Sequence, residues 1–406
     1  MRGDGMHLNR LVYMGALFAV MHGAYAQTPY TAASVVQLST GGSLPTNIGH
    51  TLRLGSDVYT QDTLDPLAVY GWGVNESGQA VGTSLINSPY KTAFVTGADG
   101  VGITALMPGT SGSRSFATGI NDGGQVVGFS TTSTSGYYSG GQAFFAAADG
   151  TTHTLGGTGS RAFGVNSSGQ VAGMNAGTAF ITDANGGALH SLGTLTGSGS
   201  SYGTGINDKG QVVGFSSSAA GSPHAFVTDV NGGAMHDLGA LYGGSSYASG
   251  INEHGQVVGS SVFKASSGLF VSRAFITDED GTMRDLGSLD NRVAGMSSFA
   301  TGVNDNGIVV GYGMSSGGWH AFITGTNGQG MYDLNSLVSG LSLSYAWGVN
   351  NENQVLAQGS GGMYLIDLNT IPVDSGGVSP GVIPEPGTLA LMVGGLVVVW
   401  RRRRIG

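Results

Sequence analysis

The amino-acid sequence predicts an all-β repeat protein, a seven-bladed β-propeller whose N-terminal strand completes the last blade. A ten-residue pattern, written GINDKGQVVG in its copy at 205–214, occurs seven times, and its asparagines follow one another at intervals of 41 to 52 residues. Each copy is followed by an Ala-Phe pair or its equivalent, which makes a second repeated marker. Self-similarity at such a period is typical of repeat architectures and decides the fold class.

Each repeat of about 46 residues has room for four short strands, which is the size of a propeller blade. In the fullest repeat we predict strands at 247–252, 256–259, 273–277 and 283–286, with a variable loop over 260–272. The turns between them contain Asn, Asp and Gly, the residues that tight hairpin turns require. The seven repeated asparagines are Asn75, Asn121, Asn166, Asn207, Asn252, Asn304 and Asn350.

The fourth strand of the repeat, written MHDLGAL at 235–241, has six copies after the first asparagine pattern. The seventh copy is predicted near the N-terminus, at 35–42. A closed ring accounts for this displacement, because an N-terminal strand can complete the final blade and leave few exposed sheet edges. The repeats alone also permit a β-solenoid, which is the alternative fold.

The first 26 residues are predicted to be a secretory signal peptide. Arg2 and Arg10 flank the start, an apolar run covers 11–20, and Ala24 and Ala26 form a small-x-small cleavage site before Gln27. We therefore expect cleavage by signal peptidase. The repeat domain is predicted to span 27–370, with a linker at 371–381.

The C-terminal segment, 382–406, combines a Pro-Glu-Pro tripeptide, an apolar stretch at 388–400 and a basic end. At 13 residues the apolar stretch is shorter than the roughly 20 of a permanent membrane-spanning helix. We predict a short transmembrane segment that holds the chain in the membrane transiently, with the arginines on the cytoplasmic side. A simple single-pass anchor is the alternative. The residues of this signal are Pro384, Glu385, Pro386, Arg401, Arg402, Arg403 and Arg404.

This segment closely resembles the PEP-CTERM sorting signal of Gram-negative bacteria. The resemblance implies that exosortase, a membrane-embedded transpeptidase, recognises the tripeptide and removes the tail. It also implies release or transfer to the cell surface via the inner membrane, often alongside exopolysaccharide production.

The repeats themselves resemble the HAF family of extracellular repeats. The full tripeptide stands at His224-Ala225-Phe226 and His320-Ala321-Phe322, and the resemblance covers about 70–368. It implies an extracellular location and adds no defined activity.

The charge and the cysteine content exclude several classes of function. The segment 27–384 has nine Lys and Arg against 22 Asp and Glu, a net charge near −13. Such an acidic chain lacks the basic surface that binds nucleic acid. The chain has no cysteine, which excludes disulfides, thiolate metal sites and cysteine catalysis.

Three acidic turns are the candidate metal sites, since each places side-chain oxygens two residues apart before a glycine. This spacing resembles the start of a calcium-binding loop, but none of the three has the glutamate that completes such a loop, and an ordinary hairpin turn is the preferred interpretation. Calcium is the one cofactor that we consider. The candidate ligands are Asp183, Asn185, Asp229, Asn231, Asp278 and Asp280.

No catalytic motif is recognisable, and we predict a protein that is not an enzyme. The histidines at the repeated positions 190, 224, 236 and 320 are expected to face the surface. We predict an exported surface or matrix protein with a binding or structural role, whose partner is a glycan or a surface protein. The alternative is a secreted lyase or glycosidase that acts on polysaccharide. Its acidic or tyrosine candidates in the nonrepeating segment have no distinguishing pattern: Asp57, Asp62, Asp65 and Tyr70.

Overall fold

The computed structural model describes residues 30–37, 73–84, 92–106, 113–132, 141–290, 295–359 and 362–370. These residues form seven antiparallel sheets, six of four strands and one of three. Five short 3-10 turns follow the third or fourth strand of a blade, and a sixth precedes blade 5. They lie at Ala98–Gly100, Ala184–Gly186, Val230–Gly232, Thr326–Gly328, Leu334–Ser336 and, before blade 5, Leu241–Gly243.

The strands are numbered in chain order. The N-terminal strand is β1 (Tyr30–Gln37). Blade 1 contains β2 (Val81–Ser84), β3 (Thr92–Thr96) and β4 (Ile103–Ala105), and an isolated bridge joins Val74 to Ala80. Blade 2 contains β5 (Arg114–Ile120), β6 (Val126–Thr131), β7 (Gln142–Ala146) and β8 (Thr152–Leu155). Blade 3 contains β9 (Arg161–Val165), β10 (Val171–Asn175), β11 (Thr178–Thr182) and β12 (Leu189–Gly193).

Blade 4 contains β13 (Ser201–Ile206), β14 (Val212–Ser217), β15 (Pro223–Thr228) and β16 (Met235–Asp237). Blade 5 contains β17 (Ser245–Ile251), β18 (Val257–Lys264), β19 (Phe270–Thr277) and β20 (Met283–Asp285). Blade 6 contains β21 (Ser298–Val303), β22 (Val309–Ser315), β23 (Gly318–Ile323) and β24 (Tyr332–Asp333). Blade 7 contains β25 (Leu343–Val349), β26 (Gln354–Gly359) and β27 (Gly362–Thr370).

The sheets form a seven-bladed β-propeller, as the sequence predicts. The first strand of a blade is innermost, since β13 contacts β9 on one side and β17 on the other, and β17, β21 and β25 continue the series. In blade 7 the order is β25, β26, β27 and then β1. The N-terminal strand therefore completes the last blade and closes the ring, which confirms the predicted closure.

The position of the closing strand differs from the prediction by a few residues. The sequence predicts a strand at 35–42, whereas β1 begins at Tyr30, and residues 38–42 lie outside the described residues. The repeat alignment is nevertheless right. Gln37 stands opposite Tyr364, just as Asp237 stands opposite Phe226 in blade 4.

The predicted loop over 260–272 is wrong for most of its length. In the structure β18 runs on to Lys264 and β19 begins at Phe270, so the connection is only 265–269. The apolar residues prolong both strands, because Phe263 pairs with Val271 and Val271 is 2% exposed. Blade 5 therefore has a longer hairpin than the repeat pattern indicates.

The hydrophobic core lies between the blades. The phenylalanine of the Ala-Phe pair is 1% exposed or less in blades 1 to 6, at Phe94, Phe144, Phe180, Phe226, Phe275 and Phe322. Each packs in a cluster that two neighbouring blades share: Phe275 of blade 5, for example, packs with Val213 and Ala225 of blade 4. Because every blade buries its aromatic ring against its neighbour, the blades stabilise one another around the ring.

The glycine that ends the repeated ten-residue pattern, Gly214 in blade 4, lies within the second strand at a place with no room for a side chain. Gly214 pairs with Phe226, and a Cβ at position 214 would overlap the carbonyl oxygen of Tyr202. Blade 7 has Ala357 at this position, opposite Tyr364. The high glycine content of the chain is therefore partly a packing requirement of the strands.

The alternating strand directions give the propeller two different ends. The asparagine turns and the turns between third and fourth strands lie at one end, which we name the turn end. These two kinds of turn are bonded to each other in blade 3, where Asn185 N donates to Ser168 O at 3.1 Å. The connections between second and third strands, and those between blades, lie at the opposite end, which we name the loop end.

Candidate functional site

The turn end is closed by a ring of hydrogen bonds among the repeated asparagines, which we name the asparagine ring. In every blade, Nδ2 of the asparagine donates to the main-chain oxygen of the asparagine in the next blade, at 2.7–3.1 Å. Asn350 of blade 7 donates to Asn75 of blade 1 at 2.9 Å, which completes the circle. The seven residues are 2–6% exposed.

Each asparagine also builds its own turn. In blade 5, Oδ1 of Asn252 accepts from the amides of His254 and Gln256, at 3.1 and 2.9 Å, and Nδ2 donates to Oε1 of Gln256 at 2.8 Å. The turn role was predicted, but the bond to the next blade was missed. The signal for it was available, because asparagine stands at this position in all seven repeats although aspartate or serine would also serve a turn.

A second set of bonds runs around the turn end one residue further on. In six of the seven blades, the main-chain N–H after the asparagine donates to the side chain at the equivalent position of the next blade, as Asp208 N does to Oε1 of Glu253 at 2.8 Å. Among the seven positions, the step from Asp122 to Ser167 lacks this bond because serine is shorter. The carboxylates in this set, which we name the turn-end carboxylates, are Glu76, Asp122, Asp208, Glu253 and Asp305.

The turn-end carboxylates lie close enough to one another to raise each other's pKa. Burial raises the pKa of Glu253, and the charges of Asp208 and Asp305 raise it further. Burial likewise raises the pKa of Glu76, with Asp122 and Asp305 adding to the effect. Among the described residues, no three His, Asp or Glu side chains are grouped so that they could hold a metal ion. The carboxylates accept main-chain hydrogen bonds instead, which is a structural role.

The three candidate calcium turns use their oxygens within the protein. Oδ1 of Asp183 contacts Nε2 of His190 at 2.9 Å, and Oδ1 of Asp229 contacts Nε2 of His236 at the same distance. In blade 5, Oδ1 of Asp278 lies 3.4 Å from Nε of Arg284, and Asp280 accepts from the amide of Thr282. Asn185 and Asn231 have left-handed backbones, with φ of 55° and 53°. Calcium binding stays a prediction, and these turns have a sufficient structural explanation.

The histidine of the His-Ala-Phe tripeptide pairs with an aspartate on the neighbouring outer strand. Nδ1 of His224 lies 3.0 Å from both carboxylate oxygens of Asp237, and Nδ1 of His320 lies 2.6 Å from Oδ2 of Asp333. The side chain of His224 is only 14% exposed, so it is less surface-facing than expected, whereas those of His190 and His236 are more than half exposed.

Such a His-Asp pair could serve catalysis if a nucleophile stood beside it. Among the described residues, no serine, threonine or tyrosine hydroxyl is hydrogen-bonded to the imidazole of His224 or His320. In blade 5 the same place is taken by Arg273, whose Nε lies 3.7 Å from Oδ2 of Asp285. Histidine in two blades and arginine in a third thus pair with an aspartate on the neighbouring strand, which indicates a bond between strands.

The loop end has an aromatic pattern that repeats every second blade. In blades 2, 4 and 6, an aromatic residue on the first strand stacks on one on the second strand, with ring centroids 4.7–4.9 Å apart. The second ring of each pair then contacts the next blade, as Phe215 contacts Tyr247 and Tyr312 contacts Tyr345. The stacked pairs are Phe116 with Phe129, Tyr202 with Phe215, and Phe299 with Tyr312. Sequence reasoning missed them, although each pair has a spacing of 13 residues.

The pattern is largest at blades 6 and 7, in a group that we name the loop-end aromatic cluster: Phe299, Tyr312, Trp319, Tyr345 and Trp347. Phe299, Trp319 and Tyr345 are half-buried, so each presents part of its ring to solvent. Burial raises the pKa of Tyr345. The ring of Trp347 lies 5.7 Å from that of Tyr345, nearly parallel.

Two buried polar atoms beside this cluster lack hydrogen-bond partners among the described residues. They are Nε1 of Trp347 and Oε1 of Gln358, a donor and an acceptor. Both flank Tyr345, since Gln358 is its cross-strand partner and Trp347 lies two residues further along β25. A bound water or a polar ligand could form hydrogen bonds with two such groups.

Exposed apolar side chains are also concentrated at the loop end. Of the seven large exposed hydrophobic residues in the described part of the chain, four lie there, in blades 5 and 6 or in the connection before them. They are Tyr242, Leu269, Phe270 and Met314. Tyr242 has a left-handed backbone with φ of 56°, and its hydroxyl donates to Asp285 at 2.8 Å. That hydrogen bond raises the pKa of Tyr242.

The predicted processing sites fall outside the described residues. This applies to the signal-peptidase site at Ala24, Ala26 and Gln27, to the sorting signal, and to the candidates Asp57, Asp62, Asp65 and Tyr70. The described residues contain no helix that is long and apolar enough to cross a membrane, and the predicted segment 388–400 is not among them.

Comparison with protein families gives two matches. Residues 240–373 match the family described as protein of unknown function (DUF3466), and residues 382–404 match the PEP-CTERM protein-sorting motif. The first match covers blades 5 to 7 and leaves the HAF resemblance as a prediction. No curated protein matches the chain.

Comparison with solved structures gives similarities at the level of the fold. One is a chain from "YCF48 bound to D1 peptide", with 12% identity, a TM-score of 0.48, and coverage of 85% of this chain and 98% of that one. Another is TolB from Acinetobacter baumannii, with 15% identity, a TM-score of 0.40, and coverage of 62% of each chain. A chain of the mitotic checkpoint complex has 11% identity and a TM-score of 0.42, covering 84% and 96%.

The sorting motif implies processing by exosortase and export to the cell surface or extracellular space in Gram-negative bacteria. The repeat units form a closed seven-bladed ring. The chain is thus a seven-bladed β-propeller followed by a PEP-CTERM sorting motif.

Proposed function

We propose that the protein is an exported, non-catalytic surface protein whose loop end binds a polysaccharide of the cell surface. The observation that carries the export half of this proposal is the sorting motif at 382–404, which stands directly after the propeller and its linker. The loop-end aromatic cluster supports the binding half.

Saccharide chains are recognised by aromatic faces and a few convergent polar groups. The loop-end aromatic cluster offers the half-buried rings of Phe299, Trp319 and Tyr345, and the unpaired atoms of Trp347 and Gln358 lie beside them. None of these side chains is charged, so a neutral sugar fits the cluster better than an anionic one.

The proposal that the protein is not an enzyme is based on the hydrogen bonds that its carboxylates make. Carboxylates near each other could act as acid and base on a glycosidic bond. The turn-end carboxylates, however, accept main-chain N–H groups of the neighbouring blade, as Glu253 does from Asp208 and Asp305 does from Glu253. They therefore serve the contact between blades.

Export and sorting are tested by changing the recognition tripeptide. Glu385→Ala should leave the chain in the membrane fraction of the native host, whereas the unchanged protein should accumulate at the surface or in the medium. Asp374→Ala, in the linker, is the matched control and should behave as the unchanged protein. If Glu385→Ala were released normally, exosortase sorting would be wrong.

Binding is tested with the released protein and the cell-surface polysaccharide of its native host. Tyr345→Ala and Trp319→Ala should each weaken co-sedimentation with the polysaccharide, because each removes an aromatic face. Val230→Ala, an exposed apolar residue at the turn end, is the control and should leave binding unchanged. If all variants bound the polysaccharide equally, the loop-end aromatic cluster would not be the binding site. If the protein bound only surface proteins, its partner would be a protein and not a polysaccharide.

A further inference from the structure

Blades 4 and 5 contain a second copy of the ring geometry found in the loop-end aromatic cluster. Tyr202 stacks on Phe215 with ring centroids 4.7 Å apart and an interplanar angle of 20°. Phe215 then meets the ring of Tyr247 edge-on, at 5.1 Å and 72°. The corresponding values in the loop-end aromatic cluster are 4.9 Å and 17°, then 5.0 Å and 73°. We name Tyr202, Phe215 and Tyr247 the second aromatic group.

The half-buried rings on the first strands of both groups occupy one repeat position, five residues before the ring asparagine. Each stands opposite the second strand in the same register, as Tyr202 stands opposite Phe215 and Tyr345 opposite Gln358. Part of each ring faces solvent, since all four side chains are half-buried. The four residues, in blades 4 to 7, are Tyr202, Tyr247, Phe299 and Tyr345.

These four rings follow one another on neighbouring innermost strands. A Cβ atom at Gly205 would lie 3.3 Å from Cα of Gly250, and one at Gly250 would lie 3.9 Å from Cα of Gly302. Gly302 approaches Gly348 in the same way, at 3.2 Å. Each ring stands three residues before one of these glycines, towards the loop end. The four rings therefore form a row across four successive blades, which we name the aromatic arc.

The aromatic arc has an end at blade 3. The same repeat position there holds Arg161, which is 3% exposed and whose guanidinium lies 5.6 Å from the ring centroid of Phe129. In blade 2 it holds Phe116, which is 9% exposed. In blade 1 it holds Tyr70, outside the described residues. Within the part of the chain that the structure describes, the solvent-facing rings at this position are thus confined to blades 4 to 7.

We propose that the aromatic arc binds an extended, uncharged stretch of a polysaccharide chain, in contact with the second aromatic group and the loop-end aromatic cluster together. This inference rests on the proposed function and adds to it a second subsite, in blades 4 and 5. A row of rings on successive blades fits a continuous chain, whereas a terminal sugar would contact one group only.

The chemistry of the aromatic arc favours a neutral saccharide. Its rings offer apolar faces, and the hydroxyls of Tyr202, Tyr247 and Tyr345 can donate and accept hydrogen bonds. None of the four side chains is charged, although the chain as a whole has a net charge of −9. An anionic polysaccharide would find no cation in the arc to pair with.

The length dependence of binding tests the second subsite. The probe is the purified neutral surface polysaccharide of the native host, cut by partial hydrolysis into size-fractionated oligosaccharides and titrated calorimetrically into the released protein. Affinity should rise about tenfold or more between the shortest fragments that bind and fragments that cover both groups, because the second contact is then intramolecular. Tyr247→Leu should remove this rise. It should leave the affinity for the shortest fragments nearly unchanged, because the loop-end aromatic cluster is intact.

Two control variants separate the ring from its surroundings. Tyr247→Phe keeps the aromatic face and should keep the rise in affinity with length. Phe116→Leu replaces the buried ring at the same repeat position of blade 2 and should bind as the unchanged protein does. Thermal unfolding shows whether each variant is folded, and Tyr202→Leu tests the same group if Tyr247→Leu is not.

The possible failures are distinguishable. If Tyr247→Leu and Tyr202→Leu kept the full rise, the second subsite would be wrong and the proposed function would stand. If no fragment of any length bound the unchanged protein, the proposed function and this inference would both be wrong. If these variants weakened binding of a surface protein and no fragment bound, the partner of the aromatic arc would be a protein, which would overturn the saccharide assignment.

Discussion

Replacing one asparagine of the ring should destabilise the whole propeller. Asn252→Ala removes the bond from Nδ2 to Asn304 O at 2.9 Å and the three bonds within the turn. Asn252 is 4% exposed, so water does not replace these bonds without rearrangement. The main-chain N–H of Gln256 loses its acceptor, whereas Asn304 O keeps the bond from Gly307 N.

The magnitude follows from the groups that are left unpaired. A buried donor without an acceptor costs about 1–3 kcal/mol, and a normal hydrogen bond contributes about 1 kcal/mol. We therefore expect Asn252→Ala to lower the free energy of unfolding by about 2–4 kcal/mol. For a folded domain of this size that corresponds to a fall in Tm of about 4 °C.

The assay is thermal and urea unfolding of the released protein, with Asn306→Ala as control. Asn306 lies two residues after the ring asparagine of blade 6, and it is exposed, so its replacement should cost less than about 1 kcal/mol. Asn252→Asp should be less stable than Asn252→Ala at neutral pH, because a carboxylate would then face Asn304 O and Gln256 Oε1. A loss below about 0.5 kcal/mol for Asn252→Ala, or a fully stable Asn252→Asp, would refute the reasoning.

Three further predictions concern packing, pH and ring closure. Gly214→Ala should destabilise by about 3 kcal/mol in urea unfolding, since its Cβ overlaps the chain, whereas Ala357→Gly should cost only about 1 kcal/mol. The pKa of Glu253 is raised in the folded state, so the protonated side chain favours folding. Its contribution to the free energy of unfolding is complete below the unfolded pKa and is lost as the pH rises through the folded pKa. Glu253→Gln should therefore raise Tm at pH 7 and leave it unchanged in acid; an unchanged Tm at pH 7 would contradict this. Tyr30→Ala removes a buried ring from the closing strand and should lower the free energy of unfolding in urea by about 4 kcal/mol. If the variant only became more sensitive to proteolysis within β1, with unchanged global stability, ring closure would contribute little.

Blade number and closure were predictable because each sequence repeat corresponds to one blade. The seven repeated asparagines predicted seven blades. The copy of the fourth strand that lies near Val35, and not after the last repeat, predicted that the N-terminal strand closes the ring. Strand ends were less predictable. The hairpin of blade 5 extends to Lys264 and Phe270 because apolar residues continue the pairing beyond the repeated pattern.

The candidate site was less predictable than the fold, because its contacts join residues that are distant in sequence. Asn350 meets Asn75 across 275 positions, and only the closed ring brings them together. The His-Asp pairs show the same limit. The alignment of His224 with His320 predicted a shared position, but the partner Asp237 lies 13 residues away on the next strand, where strand register decides the contact.

We propose above all that this propeller is exported and cut near both termini. Mass spectrometry of the protein recovered from the surface and medium of the native host tests it most directly. We predict a chain that begins at Gln27 and ends near Pro384, and that is depleted from the inner membrane. An intact C-terminus with Arg401–Arg404, found only in the membrane fraction, would contradict sorting and leave a simple anchored propeller.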